Sequence, residues 1–221
     1  MNTHVYSNKC IISSETCQLL IKQLCLLNMK KRKYKKTRRA EQQDETREKI
    51  VKATVALHEH LGPANTSIKA IAEKAGVQRL TVYRHFPDDI SLFEACTSHW
   101  FEENPPPNMA QWSNIENTSE RIYTSLLAFY NYYRSSEKMW RVAYRDVDKV
   151  EALQGSMGKF EAYIDQVRDD LLSSCELTQK DKKPLAITLR HCLRFSTWVS
   201  FKKEKMSDKK IVELVMGWFT V

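Results

Sequence analysis

TSIKAIAEKAGVQRLTVYRHF, residues 66–86, is the stretch from which the rest of the chain can be read. Ile68, Ile71, Ala72 and Ala75 recur at i, i+3, i+4 and i+7, the apolar stripe of a short helix. Thr66 and Ser67 stand just before it, where a hydroxyl can accept from an orphan N–H of the first turn. Gly76 follows, the residue that most readily takes the left-handed conformation ending a helix. A second short helix is expected from about Gln78 to Phe86. Val77, Val82 and Phe86 would turn inward, and Gln78, Arg79, Thr81, Tyr83 and His85 outward. Two short helices joined by a glycine turn, the second showing polar and cationic groups, have the outline of a helix-turn-helix. An ordinary helical hairpin with a polar surface has the same periodicity, so the flanking sequence must decide between them.

That sequence is 221 residues long, enough for one large domain or two small ones. It is 42% hydrophobic and 10% aromatic, the composition of a folded chain. Only 5 Gly and 6 Pro among long periodic runs predict an all-α protein. The net charge of +8 is concentrated: Lys30 to Arg39 (KKRKYKKTRR) holds eight cations and no acid, which leaves the remainder neutral. A basic arm on a neutral body suits an anionic partner such as a duplex backbone or minor groove, where binding releases counterions. A solvated tail is the alternative. The six cysteines show no CxxC pair or disulfide-like spacing, so reduced thiols and a cytoplasmic protein are expected. No apolar run approaches the ~20 residues that would cross a membrane.

Residues 1–28 differ in character from the rest. Leu19 to Leu27 is apolar but interrupted by Lys22 and Gln23, with no basic segment before it, a poor secretion signal. Ser13 or Ser14 could cap a short helix over Glu15–Leu27, and Met29 immediately precedes the basic arm. Residues 1–28 are therefore expected to be foreign or a mis-called start, with native translation from Met29 and an arm over 29–44. The N-terminal mass of protein made from its own locus tests this.

A first helix is expected from Glu45 to Leu61, with Ile50, Ala53, Leu57 and Leu61 as its apolar side and Gly62–Pro63 as its end. After the residue 66–86 pair, Pro87 should begin a longer helix carrying Ile90, Leu92, Phe93 and Cys96. The segment TSIKAIAEKAGVQRLTVYRHFPDDISLFEA closely resembles the N-terminal domain of TetR-type bacterial transcriptional regulators. Ile71-Ala72, Ala75-Gly76-Val77, Thr81, Tyr83 and His85-Phe86 all fall in register over about residues 47–95. The resemblance implies a homodimer that sets two recognition helices in successive major grooves of a palindromic double-stranded DNA operator. Carried over by position, it gives Arg79 base readout, for which a guanidinium paired with guanine O6 and N7 is suited. Gln78 would read a base or cap its helix. Leu80, where the family often has Pro, Gly or Ala, would suit a thymine methyl if exposed. Thr81, Tyr83 and His85 would position the helix on phosphates, as would Thr66 and Ser67 with the first-turn amides, and Lys69 would add a charge. One position departs: three residues after Phe86 the family commonly has Lys or Arg, and this chain has Asp89. That phosphate contact is expected to be missing, with the arm as compensation.

The reading domain is expected over 45–104, and Glu102–Asn108 (EENPPPN) breaks the pattern as a linker or loop before a second helical domain over 105–221. Helices are expected over Ser119–Arg134 and Glu137–Tyr144. Val150, Leu153, Met157, Phe160, Ile164, Val167 and Leu171 then alternate in steps of three and four, a core face or a short coiled-coil seam. Gly155 and Gly158 would weaken that helix or admit another backbone. One helix over Lys183–Lys203 is apolar on two sides, and Ser207 or Asp208 should cap a last helix. The resemblance implies that these last two helices pair with their copies; Leu189, Cys192, Ser196, Val199, Ile211, Leu214, Val215 and Trp218 are the expected dimer interface. It also implies an effector cavity, which Tyr123, Tyr130, Tyr133, Trp140, Tyr144, Tyr163, Phe195 and Trp198 could line. Plain core is the competing reading for each. An aromatic lining without a charged partner would favour a small flat or apolar effector.

Cys96 with His99, and His58 with His60, lack the third and fourth ligands a metal site needs, so no metal or other cofactor is expected. Neither a nucleophile triad, a Gly-rich phosphate loop nor paired catalytic carboxylates stand out, so an enzyme is not expected. The expectation is an all-α regulator, most simply a repressor. It would have an N-terminal helix-turn-helix DNA-binding domain followed by a helical ligand-binding and dimerisation domain. A DNA-binding adaptor that docks a protein partner and has no small-molecule effector is the alternative.

Overall fold

The stripe Ile68, Ile71, Ala72 and Ala75 forms a helix in the computed structural model, and its neighbours follow in the expected order. Among the described residues there are ten α-helices and two 3-10 turns and no strand. The description covers the backbone of residues 14–175 and 178–219 and the side chains from Arg38 onward, Gln179 excepted. The Ser13 cap and the side chains of Met29 and of the arm up to Thr37 lie outside the described residues.

The chain divides between Glu48 and Lys49 into two units. The first contains most of α1 (Ser14–Leu61), whose side chains over residues 38–48 are exposed apart from half-buried Thr46. In the second, two apolar clusters form. The smaller gathers Ile50, Val51, Ile71, Ala72, Val82, Phe86, Leu92 and Cys96 from the end of α1, α2 (Ile68–Ala75), α3 (Arg79–His85) and α4 (Asp89–Glu103). The larger is built on α5 (Thr118–Ser135), whose Ile122, Leu126, Phe129, Tyr130 and Tyr133 are fully buried. Around it lie α6 (Glu137–Asp146), α7 (Glu151–Ser173), α8 (Gln179–Cys192), α9 (Phe195–Lys202) and α10 (Asp208–Met216). Each large side chain buried in this way contributes roughly 1.5–3 kcal/mol.

The expected face of α7 is core from Leu153 on, with Met157, Phe160, Ile164, Val167 and Leu171 also buried, whereas Val150 is the half-buried residue capping the helix. A Cβ added at Gly155 or Gly158 would meet nothing within 4 Å, so no second backbone approaches there. Elsewhere the outcome differs from the pattern. The inward side of α1 is Ile50 and Ala53, as expected, with Val51, Thr54 and His58 beside them; Leu57 is half-buried and Leu61 is exposed. Two polar residues on that face, with Thr54 Oγ1 satisfied by the Ile50 carbonyl at 2.8 Å, hid part of it from a reading by hydrophobicity. α4 begins at Asp89, with Asp88 as its cap accepting from the Ser91 N–H at 2.7 Å; Ile90 is 59% exposed and not part of the apolar side. The Glu102–Asn108 segment is pinned, because Tyr132 donates to the Asn104 carbonyl and Tyr163 to that of Pro107.

The single helix expected over Lys183–Lys203 is two. It breaks at Leu193–Arg194, and three hydroxyls receive the carbonyls in that region: Tyr130 donates to Cys192, Tyr133 to Leu193 at 2.7 Å, and Thr197 to His191. A buried carbonyl without a partner would cost ~1–3 kcal/mol, and the hydroxyls of α5 and of Thr197 remove that cost at the break.

Candidate nucleic-acid interface

The approach of α2 to α3 is set by its ends. Ser67 caps α2 by accepting from the Ala70 N–H at 3.2 Å. Gly76, at φ 68°, closes it, with its own N–H on the Glu73 carbonyl and that of Val77 on Ala72. This double bond pattern around a left-handed residue turns the chain directly into α3. Gln78 is the N-cap of α3 by backbone position, but its side chain makes no capping bond and is exposed.

With Val82 and Phe86 buried, the opposite face of α3 is Arg79, Leu80, Tyr83 and Arg84, at i, i+1, i+4 and i+5. All four are exposed, Leu80 by 76% and Tyr83 by 51%. The face thus combines an exposed leucine and tyrosine with two arginines. Thr81 and His85 lie half-buried at the edges of this face. Thr66 is also half-buried, and its hydroxyl donates to the Gly62 carbonyl at 2.9 Å. Ser67 is exposed at the start of α2, and exposed Lys69 pairs with Glu73 at 3.8 Å. Thus Ser67, Gln78, Arg79, Leu80 and Tyr83 share open surface, whereas the hydroxyl of Thr66 serves its own loop. Arg84 lies on the same open face and was not among the expected residues. Its signal was helical spacing, since it stands one turn beyond Leu80. Asp89 is exposed in the first turn of α4, where a carboxylate favours the positive end of the helix.

The loop entering this domain is held from α6. Asp146, 1% exposed, accepts from the Ala64 N–H at 3.2 Å and from Arg145 through two bonds of 2.8 Å. Arg145 also donates to the Leu61 carbonyl at 2.9 Å. Its guanidinium, then the Ala64 N–H, hold the Asp146 carboxyl below the usual carboxylate range against the opposing effect of burial. Gly62, at φ 88°, is needed here, because a Cβ would overlap both Arg145 and Asp146.

Residues 50–96 match the model of the bacterial regulatory proteins of the tetR family. That segment is similar to the N-terminal domain of this family. Solved structures extend the likeness to the fold as a whole. A TetR-like transcriptional regulator from Rhodococcus sp. RHA1 is 20% identical, with 77% of this chain and 91% of that one covered and a TM-score of 0.55. A proposed fatty acid metabolism regulator from Clostridium perfringens is 17% identical, with 76% and 94% covered and a TM-score of 0.54. A HlyIIR mutant whose residues 169–186 are replaced by a linker with two thrombin sites is 18% identical, with 80% and 98% covered and a TM-score of 0.56. No protein with a curated description matches the chain. The chain has the TetR fold, an N-terminal helix-turn-helix followed by a helical C-terminal domain.

Behind the TetR-type domain, most of the aromatics expected to line an effector cavity are packing. Tyr130 and Tyr133 are fully buried with their hydroxyls on the α8–α9 break, and Trp198 donates its indole N–H to Asp208 at 2.8 Å. Phe195 stacks on Tyr144 at 5.5 Å, Tyr144 donates to Glu161 at 2.9 Å, and Tyr123 packs against the core. Trp140 borders a small apolar cavity of about 50 Å³ where the end of α1, α4, α6 and α7 meet, and Tyr163 borders a surface cleft. Of the expected dimer residues, Leu189 and Cys192 of α8 and Ile211 and Val215 of α10 are buried inside the protomer. Those that keep surface are Ser196, Val199, Leu214 at 46% and Trp218 at 45% exposed. Among the described residues no helix is long and apolar enough to cross a membrane.

Proposed function

We propose that the chain is a sequence-specific DNA-binding transcriptional regulator, a homodimeric repressor released from a palindromic operator by a small-molecule effector. The observation that carries this reading is the exposed Arg79–Leu80–Tyr83–Arg84 face of α3 in a TetR-type domain. Arg79 would pair with a guanine edge, Leu80 would meet a thymine methyl, and Gln78 would read a neighbouring base. Tyr83, Arg84, Thr81 and His85 would rest on phosphates, with Ser67 and the first-turn amides of α2 on another. Lys69 and Thr66 would add a charge and a loop contact at the same edge. Two such heads in one dimer require half-sites about one helical turn apart.

Selection from a random duplex pool followed by gel-shift titration tests this reading. A palindrome with half-sites roughly 10 base pairs apart is expected; binding without sequence preference would refute it. Transcription from a promoter carrying the selected site then separates repression from activation. The basic arm would supply sequence-independent affinity. Deleting residues 30–39 should weaken binding and flatten its dependence on salt, and an unchanged slope would remove the arm from the interface. The filled aromatic core favours, as a second reading, an adaptor that answers to a protein partner. A screen of small molecules by thermal shift separates the two, since the adaptor would give no hits.

A further inference from the structure

Two sets of ion pairs bring the α5–α6 turn against the α9–α10 turn. Arg134, near the end of α5, donates twice to Asp208 at the buried start of α10, the Nη2 bond being 2.7 Å. Lys202, at the end of α9, pairs with Glu137 at the start of α6, and Arg141 donates to the other oxygen of Glu137 at 2.7 Å. Glu137 and Asp208 are thus spent on fixing the seam. Around it stand Lys138, Lys203, Lys205, Lys209 and Lys210, all exposed and none in an ion pair with a described residue. Glu204 is exposed among them, and Glu213 stands one turn along α10. Without the arm the chain is neutral, so this end of the body carries an excess of positive charge that acids elsewhere balance. Like charges gathered at two adjoining turns repel one another, and the grouping costs stability in the free protein.

Lys205 adds an independent observation. It stands at φ 58°, and among the described residues it is the one non-glycine at positive φ. Glycine takes that conformation freely, whereas a lysine there sets its Cβ against the following carbonyl oxygen. Its side chain is exposed and unpaired, so nothing in the fold uses it. Strain retained for a side chain with no partner in the protomer points to a partner outside it. The place of the patch narrows what that partner is. α6 is ten residues long, about 15 Å. Lys138 lies in its first turn, and Asp146, which holds the Ala64 N–H, is its last residue. The lysines therefore sit a helix length from the loop that carries the reading domain, which argues against the duplex held by α3 as their occupant. Met206, the apolar residue of the α9–α10 turn, is half-buried, so the turn offers no bulky apolar side chain to a bilayer. An acidic protein segment remains.

We propose that the adjoining α5–α6 and α9–α10 turns dock an extended acidic segment of a partner protein, whose carboxylates pair with Lys203, Lys205, Lys209 and Lys210. The inference deepens the adaptor reading and rests on it only for its consequence; binding at the patch does not need an operator. The full chain is titrated with fluorescein-labelled deca-glutamate at physiological salt. Because the arm also attracts polyanions, two variants with the same change in net charge are compared. Lys203→Gln, Lys205→Gln, Lys209→Gln and Lys210→Gln together should weaken the peptide roughly tenfold or more. Lys159→Gln, Lys180→Gln, Lys182→Gln and Lys183→Gln, on α7 and α8, should change its affinity less than about twofold. Lys205→Gly should weaken the peptide and raise the melting temperature by roughly 2–4 °C, a pairing that a lysine kept for packing would not show. Equal losses in the two fourfold variants, or undiminished peptide affinity in Lys205→Gly, would overturn the site. So would binding of phosphatidylglycerol vesicles or random-sequence duplex, and not of the peptide, through these lysines. Dissociation of a dimer by the first four substitutions would make a second copy the occupant and overturn it too. Operator binding is scored on the same proteins; its absence in the natural chain counts against the regulatory reading and leaves the peptide result standing.

Discussion

Arg79 opens α3 with its side chain exposed, and its neighbour Leu80 has no intramolecular reason to be where it is. If Arg79 reads a base, Arg79→Ala costs about 1–3 kcal/mol and relaxes preference at one position per half-site. Competition binding with single-position operator variants measures this; uniform weakening over all sequences would reassign Arg79 to phosphate. His58 gives a different prediction at the same scale. Burial lowers its pKa from the ordinary 6.5 to about 4, so between these values the unfolded chain binds the proton and the folded chain does not. Stability is therefore full above 6.5 and falls as pH drops toward 4, by on the order of 3 kcal/mol. Urea unfolding across that window should show the slope in the natural chain and lose it in His58→Leu. The carboxyl of Asp146, held below its usual range, titrates lower and does not enter the window.

At the scale of elements, the α8–α9 break depends on α5. Tyr133→Phe removes the hydroxyl that meets the Leu193 carbonyl and should cost about 1–3 kcal/mol while leaving the packing intact. Chemical denaturation with an unchanged m-value would confirm it, and a neutral result would mean that another donor reaches that carbonyl. The break also marks where sequence reading stops. A helix shows in its period and caps, and α2, α3, α7 and α10 were legible for that reason: Ser67, Gly76 and Ser207 act at their ends as their chemistry dictates. Little local distinguishes Leu193 and Arg194 from helix interior, because two of the three hydroxyls at the end of α8 come from about 60 residues away. Similarly, Thr54 and His58 belong to the core face of α1 although their polarity argues otherwise. Of the candidate interface, the α3 face was legible from two buried positions, Val82 and Phe86. The cavity was not, because it is a defect in packing among four helices rather than a property of any one.

The molecule as a whole still shows apolar surface at one end of the chain. Leu214 and Trp218 are nearly half exposed on and just after α10, and Ile187 on α8 is exposed by 63%. If a second copy covers Leu214 and Trp218, then Leu214→Glu with Trp218→Glu should yield a folded monomer by sedimentation. Its affinity for a two-half-site operator should fall by about a hundredfold, with little change for a single half-site. A dimer that survives both substitutions would place the contact elsewhere.

The Asp146 carboxylate on the loop around Gly62 bears on how such a protein can be re-engineered. Exchanging reading heads between bodies is a natural way to rewire gene control. Here the donor groups that satisfy the carboxylate are divided between head and body: the Ala64 N–H comes from one, and Arg145 from the other. A transplanted head with any side chain at position 62 would displace Arg145 and leave the buried carboxylate with fewer donors. The workable cut lies after this loop rather than before it. A hybrid joined there keeps the graft soluble, and one joined at the end of α1 should fail to fold.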